Sequence, residues 1–227
     1  NDPLIAGKFD ARNLQPGKAL CKKALQHELG LEVNPAIPIV GLVARLVQQK
    51  GIDLVIESAW RMMDLGIQLV VLGEGDSYYQ NALVQLQATY PGRVALNFAF
   101  SESMAHKIEA GSDCFLMPSL YEPSGLNQLY SMRYGTLPVV RATGGLADTV
   151  TDANPETLSN NSATGFSFNA YSSAALYDCL FRAIDCYRNH PQDWVKIQRN
   201  AMTQDWSWNR SAKNYQQLYG TIISSRA

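Results

Sequence analysis

Short apolar runs alternate with helically periodic segments from residue 37 to residue 150, and this alternation constrains the fold more than any other feature. The runs predict strands over residues 37–44, 68–72, 93–98, 114–117 and 137–140. The segments between them predict helices over residues 51–65, 78–90, 103–110, 125–134 and 146–150. Strands that are apolar along their whole length belong to a parallel sheet with helices on both faces. Right-handed crossovers between such strands predict a doubly wound, Rossmann-like α/β domain.

The two ends of the chain differ from this pattern. After a polar loop over residues 151–164, the sequence GFSF predicts one more short strand, and helices over residues 174–188, 191–203 and 209–223 close the chain. Residues 1–16 are irregular, and we interpret them as the remnant of a linker that precedes a domain over residues 17–227. A chain of 227 residues is long enough for one large α/β domain with its own core.

Charge and composition exclude several classes of partner. The formal net charge is -1, which gives no electrostatic reason to bind nucleic acid or an anionic membrane surface. The sequence has no apolar stretch of about eighteen residues and no signal-peptide pattern, so we expect an intracellular protein. The cysteines lack CxxC or zinc spacing and the histidines are scattered, which predicts reduced core thiols and no metal site.

The loops that follow the predicted strands carry residues from which a ligand site could be built. In an open parallel sheet, ligands bind beside the carboxyl ends of the strands. Two cations, an aromatic residue, a carboxylate and glycine turns all fall at this edge, which suits a nucleoside diphosphate attached to a polyol. These residues are Arg45, Lys50, Gly73, Gly75, Phe100, Glu122, Gly144 and Gly145.

Each of these residues also has a structural interpretation. Arg45 and Lys50 could be solvated side chains, although cations near the start of a helix oppose its dipole unless an anion is present. The GEGD sequence at Gly73 and the TGG turn are typical of ordinary strand ends, and Phe100 taken alone is better interpreted as a core residue. The GxGxxG fingerprint is absent after the first strand, which argues against an NAD enzyme.

The sequence YEPSGLNQLYSM places a carboxylate in the turn between the fourth predicted strand and the next helix. Pro123 disfavours helical backbone at Glu122 and keeps this acid in the loop. Ser124 is predicted to cap the helix, and Gly125 permits close approach of another backbone. The amides from Gly125 onward would then form an anion site. A carboxylate beside a bound phosphate is tolerated where it accepts hydrogen bonds from sugar hydroxyls.

Several segments resemble the family of bacterial glycogen synthases and plant starch synthases. These segments are ARLVQQKG, LGEGD, EPSGLNQLYSMRYGTLPVVRATGGLADTV and MTQDWSW. The resemblance runs from about Lys18 to the end of the chain. It implies a retaining glucosyltransferase of the GT-B architecture, in which two Rossmann-like domains face each other across a cleft. The chain resembles the C-terminal, donor-binding half, which implies that the N-terminal, acceptor-binding domain is absent from it.

The resemblance implies a role for each residue at this edge of the sheet. Arg45 and Lys50 match the cations that bind the donor diphosphate and stabilise the leaving group. Glu122 matches the carboxylate that holds the glucose hydroxyls. The remaining matches are the diphosphate-binding turn of Gly125, Leu126 and Asn127, the aromatic residue against the base, Phe100, and the glycine turn near the nucleoside, Gly73 and Gly75.

Two positions depart from the wider pattern. Tyr130 stands where many related retaining transferases carry a second glutamate that faces the ribose, and the bacterial glycogen synthases share this departure. Ser124 stands where the family usually has cysteine, so we expect that donor binding is retained while a reactive thiol is lost.

The implied reaction is transfer of glucose from ADP-glucose to the non-reducing 4-hydroxyl of an α-1,4-glucan, with retention and without a metal or another cofactor. UDP-glucose stays open as the donor. A related transferase of the sucrose or trehalose type, and a non-catalytic nucleotide-sugar or glucan-binding module, are the alternatives. Because half of the cleft is absent, we expect the isolated chain to bind donor weakly without elongating glucan. The protein would act in the cytoplasm of a bacterium, or in the plastid stroma of a plant or alga.

Overall fold

The computed structural model describes residues 2–224. The predicted linker includes Asn1 and the predicted domain includes residues 225–227, and these positions lie outside the described residues. Within the described part, parallel strands form a 6-stranded sheet in the order β3-β2-β1-β4-β5-β6. This order confirms the predicted doubly wound, Rossmann-like domain. The strands are β1 Ile39–Val43, β2 Gln68–Leu72, β3 Val94–Asn97, β4 Cys114–Met117, β5 Leu137–Arg141 and β6 Phe166–Phe168.

Helices connect the strands and cover both faces of the sheet. The predicted elements between residues 37 and 150, the strand at GFSF and the closing helices are all present, and their bounds differ from the prediction by at most two residues. A short 3-10 turn, Gln48–Lys50, precedes the second helix. The helices are α1 Leu14–Glu28, α2 Ile52–Asp64, α3 Ser77–Thr89, α4 Glu102–Gly111, α5 Asn127–Arg133, α6 Gly145–Thr149, α7 Pro155–Ser159, α8 Ser173–Asn189, α9 Pro191–Thr203 and α10 Trp208–Ser224.

The strands are buried because both of their faces are apolar. Successive residues of a strand point to opposite faces of the sheet. Along β2, Leu69 and Val71 belong to the core beneath α2, α3 and α8, while Val70 and Leu72 belong to the core beneath α1 and α4. Apolar packing on both sides fixes the ends of the strands, so the loops at the carboxyl edge start from defined positions.

The sheet changes its direction of winding at β1. One edge of β1 pairs with β2, where Val43 lies opposite Leu72, and the other edge pairs with β4, where Val40 lies opposite Cys114. The loops after β1 and β4 therefore leave a crevice between them, the position at which open α/β sheets bind ligands. These loops contain the predicted site residues Lys50 and Glu122.

Helices α1 and α7 are absent from the sequence prediction. The buried face of α1 includes Lys18 and Lys22, whose charges obscure its apolar periodicity. Helix α7 lies inside the predicted polar loop, where Asn154 and Thr157 cap it reciprocally. Residues 2–13 contain neither helix nor strand, and α1 begins at Leu14, within the bounds predicted for the linker. The linker itself stays a prediction.

The cysteine side chains lie in the core. All are buried, and within residues 2–224 none forms a disulfide. Burial raises the pKa of the Cys186 thiol to about 11 and that of Cys179 to about 12, so these side chains are neutral thiols. In the part of the chain that the structure describes, no helix is both long and apolar enough to cross a membrane.

Candidate functional site

Lys50 and Glu122 form an ion pair at the crevice between β1 and β4. Lys50 Nζ lies 2.6 Å from Glu122 Oε2, and Ser119 Oγ donates to the same oxygen at 3.2 Å. Glu122 is buried and Lys50 is partly buried. Within residues 2–224, the other carboxylate oxygen and the remaining ammonium hydrogens have no hydrogen-bond partner. The fold thus joins residues from two loops into one pair that keeps spare donors and acceptors.

The loop after β1 packs directly on the loop after β4. Lys50 ends the 3-10 turn, and the residue that follows it, Gly51, has a φ of 72°. A Cβ atom at Gly51 would lie 2.1 Å from Pro118 O, so only glycine fits there. The amide of Leu120 also donates to Gln49 O at 2.9 Å. These backbone contacts fix how Lys50 meets its carboxylate partner.

Arg45 lies at the outer edge of the crevice. Its guanidinium donates to Gln49 Oε1 at 3.2 Å, and the side-chain Nε2 of Gln49 donates to Tyr121 O at 3.3 Å. The Arg45 side chain is otherwise exposed. Both predicted cations therefore approach the crevice from the same loop, but Lys50 alone pairs with Glu122 among the described residues.

The turn that leads into α5 differs from the prediction at Ser124. The helix begins at Asn127, its N-cap position is Leu126 and no side chain caps it, so the predicted capping by Ser124 is wrong. Gly125 has a φ of 71°, and the chain changes direction there before it enters the helix. Asn127 Nδ2 donates to Val43 O at 3.0 Å and fastens the start of α5 to the end of β1.

The TGG turn after β5 has a packing role. A Cβ atom at Gly144 would lie 2.3 Å from Glu122 O, and one at Gly145 would lie 2.0 Å from Ser124 O. The amide of Gly145 also donates to Glu122 O at 3.0 Å. The structure therefore gives this turn the task of holding the backbone of Glu122.

Two adjoining cavities open at the crevice. The smaller has a volume of about 140 Å³ and contains the ion pair in its wall. The larger has a volume of about 640 Å³ and extends between α4 and α5. Val43, Ala44 and Asn127 line both, so one elongated ligand could occupy the two together. Of the other predicted site residues, the smaller cavity is lined by Lys50, Glu122, Gly125 and Leu126, and the larger by Arg45, Gly73, Phe100 and Tyr130.

Phe100 is a surface residue at the larger cavity. Its exposed fraction is 83%, so its interpretation as a core residue is wrong. An exposed aromatic ring beside a cavity offers a flat apolar face to a ligand ring. Tyr130, on α5, is half exposed in the same cavity.

Gly73 and Gly75 allow two loops to lie against each other. Gly73 has a φ of 145°, and a Cβ atom there would lie 1.8 Å from Ala44 O. A Cβ atom at Gly75 would lie 2.3 Å from Leu46 O. Close packing against Leu46 thus explains the glycine at position 75, which lines neither cavity. Gly73 packs in the same way and also lines the larger cavity.

The larger cavity also contains a carboxyl group that no sequence motif indicates. Glu109 is 4% exposed, and its side chain has no hydrogen bond or ion pair within the described residues. Burial raises the pKa of its carboxyl to about 7, with His106 opposing this shift and Asp2 adding to it. Glu102, His106 and Glu109 recur on one face of α4, and this helical spacing is the signal that could have identified them.

The irregular N-terminal segment contacts the wall of this cavity. Asp2 Oδ2 lies 2.7 Å from His106 Nδ1 and accepts a hydrogen bond from Tyr134. Burial raises the pKa of Asp2, but the hydrogen bonds from Tyr134 and His106 outweigh burial and lower the pKa to about 2. Burial and the bond to Asp2 raise the pKa of Tyr134 in turn. The segment before α1 is therefore bound to both helices that border the cavity.

The donors and acceptors of the site define the ligand that it can hold. The described residues contain no group of three or more His, Cys, Asp or Glu side chains placed to hold a metal ion. Lys50 pairs with the buried carboxylate of Glu122, and Arg45 lines the adjoining larger cavity. Cations bind oxyanions and a carboxylate accepts hydrogen bonds from hydroxyls, each with charge assistance. This combination suits a phosphate group next to a polyol.

Known proteins resemble this chain along almost its whole length. The family model for glycosyl transferases group 1 matches residues 30–201. A glycogen synthase of Nitrosomonas eutropha is 46% identical over 222 residues, which cover 98% of this chain and 44% of that protein. A glycogen synthase of Anaeromyxobacter dehalogenans is 47% identical over 225 residues, which cover 99% of this chain and 46% of that protein. The chain spans about half the length of the curated relatives it matches.

A solved structure has a closely similar fold. It is the catalytic domain of starch synthase IV from Arabidopsis thaliana, bound to ADP and acarbose. The TM-score is 0.88 at 35% sequence identity, over 99% of this chain and 46% of that chain. Sequence and structure therefore indicate the same group of proteins.

Proposed function

The chain belongs to the group 1 glycosyl transferases, within the family of glycogen and starch synthases, and from this premise we propose that it is the donor-binding half of such a synthase. The complete protein would transfer glucose from ADP-glucose to the non-reducing end of an α-1,4-glucan with retention of configuration. The observation that carries the proposal is the Lys50–Glu122 ion pair in the wall of a recess of about 140 Å³.

The smaller cavity is assigned to the glucose of the donor. Glu122 has a carboxylate oxygen without a partner within the described residues, and that oxygen can accept hydrogen bonds from glucose hydroxyls. Such bonds are strong because the acceptor is charged and largely removed from water. Pro123 and the TGG turn keep this carboxylate in the loop, where it faces the cavity.

The cations are assigned to the diphosphate. Negative charge develops on the departing nucleoside diphosphate as its bond to glucose breaks, and cations held in place beforehand stabilise that charge. Lys50 is held by its ion pair and by the packed 3-10 turn, so it needs little reorganisation. Arg45 would contact the outer phosphate oxygens. The turn of Gly125, Leu126 and Asn127 would supply backbone amides to the same group.

The larger cavity is assigned to the nucleoside. Phe100 would pack against the base, and Tyr130 would lie near the ribose in place of a carboxylate. Gly73 allows the ligand to approach the backbone after β2. The similar starch synthase domain was bound to ADP, which supports ADP-glucose rather than UDP-glucose as the donor.

The acceptor glucan would need the other half of the protein. The chain spans less than half of the length of the similar glycogen synthases, so part of the cleft would come from the N-terminal domain. We expect the isolated chain to bind ADP weakly and not to elongate glucan. We also propose that the reaction needs no metal, and the rate of the complete protein should then be unchanged by EDTA.

Steady-state kinetics of the complete protein with ADP-glucose and a maltooligosaccharide test this assignment. Lys50→Met is expected to lower kcat/KM by about 100- to 1000-fold, the loss typical of one preorganised contact to a transition-state charge. Glu122→Gln should act in the same direction because it removes the charged acceptor for glucose. Lys196→Met, which removes a cation from an exposed pair on α9, is the matched control and should leave the rate unchanged.

Three outcomes would contradict the proposal. Wild-type rates in both Lys50→Met and Glu122→Gln would overturn the catalytic assignment. Binding of ADP-glucose by the complete protein without any glucosyl transfer would favour the non-catalytic module. Preference for a fructose or glucose phosphate acceptor would favour a transferase of the sucrose or trehalose type.

A further inference from the structure

The backbone carbonyls of the turn around Glu122 accept hydrogen bonds from other residues of the protein. By contrast, the amides of Gly125 and Leu126 have no hydrogen-bond acceptor within residues 2–224. A turn whose carbonyls are held by the protein leaves its amides to a ligand or to water. The bonds are Arg141 Nη1 to Leu120 O at 2.6 Å, Gln49 Nε2 to Tyr121 O at 3.3 Å, Gly145 N to Glu122 O at 3.0 Å, and Gln128 Nε2 to Ser124 O and Gly125 O at 3.2 Å each.

Gln128 holds the end of this turn from the interior. It is 0% exposed, and its Nε2 also lies 3.2 Å from Thr149 Oγ1, so its two hydrogens are shared among three acceptors. Thr149 Oγ1 donates onward to Gly145 O at 2.5 Å, which ties Gln128 to the TGG turn. The Oε1 atom of Gln128 is buried without a hydrogen-bond partner among the described residues. An unsatisfied buried acceptor costs free energy, which the hydrogen bonds from Nε2 to the turn offset.

The fit between Gln128 and Gly125 is close. A Cβ atom at Gly125 would lie 2.6 Å from Gln128 Oε1, and the φ of 71° at Gly125 is one that glycine adopts readily. Gln128 itself lines neither cavity. Its contacts are therefore with the backbone that carries the site, and not with the space that a ligand would occupy.

We propose that Gln128 is a positioning residue for the donor site, an inference that rests on the proposed function. By holding the carbonyls of Ser124 and Gly125 inward, it sets the path of the turn. The path of the turn places the carboxylate of Glu122 opposite Lys50 and leaves the Gly125 amide free for the diphosphate. Thr149 supports the same arrangement through its bond to Gln128.

The test measures binding of ADP-glucose to the complete protein by calorimetry. Gln128→Met keeps the side-chain length and removes the donor to the turn. The displaced turn should lose the hydrogen bond from the Gly125 amide to the charged diphosphate, which would weaken binding by about tenfold or more. Thr149→Val should weaken binding in the same direction, and Thr149→Ser should restore it because the hydroxyl returns. A merely structural residue would not give this rescue in affinity.

Gln128→Glu gives a second, pH-dependent measurement. A buried carboxylic acid is neutral at low pH and still donates one hydrogen bond, whereas its ionised form repels the turn carbonyls. The affinity for ADP-glucose, relative to wild type at the same pH, should therefore fall between about pH 6 and about pH 8. Comparison at equal pH removes the titration of the other groups of the protein.

Gln198→Glu is the matched control. Gln198 is 2% exposed on α9, donates to Gly135 O at 2.6 Å, and likewise has a buried Oε1 without a partner in the described part of the chain. Its variant should lose thermal stability as pH rises while the affinity for ADP-glucose stays at the wild-type value.

The outcomes separate this inference from the function on which it rests. Wild-type affinity in Gln128→Met would overturn the positioning role and leave the proposed function standing. So would an affinity of Gln128→Glu, relative to wild type at the same pH, that does not change with pH. Absence of binding of both ADP and ADP-glucose by the wild-type protein would overturn the proposed function and this inference together. If Gln128→Met does not fold, two other measurements decide the question: the relative affinity of Gln128→Glu as a function of pH, and the recovery of affinity in Thr149→Ser compared with Thr149→Val.

Discussion

Two lysine–carboxylate pairs lie at opposite edges of the sheet and differ in how completely their hydrogen bonds are satisfied. At the amino edge, Lys22 Nζ lies 2.8 Å from Asp113 Oδ2 and also donates to Pro35 O and to the hydroxyl of Tyr187. Asp113 accepts a further bond from the amide of Ile39 at 2.8 Å. Every hydrogen of this ammonium group is thus used by the protein.

The pair at the carboxyl edge is shorter but less complete. Lys50 and Glu122 are 2.6 Å apart, and Ser119 supplies the one further hydrogen bond to the carboxylate within residues 2–224. Side-chain exposure is 21% and 10% here, against 7% and 8% for Lys22 and Asp113. The protein saturates the Lys22–Asp113 pair, whereas the Lys50–Glu122 pair keeps spare donors and acceptors at the edge where open α/β sheets bind ligands.

Glu109 extends the comparison to a carboxyl group with no partner. It is as buried as Asp113, yet its side chain makes no hydrogen bond or ion pair in the described residues. The physical consequence appears in the pKa, which burial raises to about 7. Because burial disfavours the charged form and His106 opposes it only in part, the neutral form of the acid is favoured.

The largest expected effect comes from removing one cation of each pair. Lys22→Met should lower the free energy of unfolding by about 3–5 kcal/mol, because it leaves the buried Asp113 charge without compensation. Lys50→Met should lower it less, by about 1–3 kcal/mol, since Lys50 is more exposed than Lys22 and Glu122 borders a cavity and retains the bond from Ser119. Urea unfolding of the two variants measures this difference. Equal losses in both variants would break the comparison.

The second prediction concerns Glu109 and pH. Its pKa is raised from 4.5 to about 7 on folding, so the folded protein binds more protons than the unfolded chain between these values. Stability therefore falls as pH rises from about 4.5 to about 7, and Glu109→Gln should abolish this contribution. The free energy of unfolding of the variant, relative to wild type, should increase across that window and be level above it.

Urea unfolding at several pH values measures the effect. The other titratable groups that interact with Glu109 are His106 on the same helix, Asp2 on the N-terminal segment and Tyr134, which follows the last residue of α5. They are present in both proteins, so their contributions largely cancel in the difference. A difference that does not vary with pH would show that Glu109 ionises normally.

The smallest effect is expected at Ser124, next to the incomplete pair. A capping serine replaced by alanine costs about 1 kcal/mol, but Ser124 caps no helix here. Ser124→Ala should therefore stay within about 0.5 kcal/mol of wild type in unfolding experiments. Asn154→Ala, which removes the side chain that does cap α7, is the matched comparison and should cost more. A loss at Ser124 as large as that at Asn154 would restore the capping interpretation.

The predicted and observed structures agree where the signal is local and differ where it is not. Strands β2 and β4 have the predicted bounds because a continuous apolar run is itself the strand signal. Helix α1 is missing from the prediction because Lys18 and Lys22 lie on its buried face and bond to groups elsewhere in the fold. Phe100 has an apolar side chain of the kind found in protein cores, yet it lies at the surface, because its position in the fold and not its residue type decides its burial.

Periodicity and motifs are properties of neighbouring residues, so they were enough to predict the doubly wound sheet, the order of the loops at its carboxyl edge and the resemblance to glycogen and starch synthases. The three-dimensional fold was needed to show that Lys50 pairs with Glu122, 72 residues further along the chain, while Lys22 pairs with Asp113, 91 residues further along. It also decided that Gln128 holds the turn of Ser124 and that Glu109 lies buried without a partner. These facts depend on which strands are adjacent and on how closely their loops pack, and no local pattern encodes either.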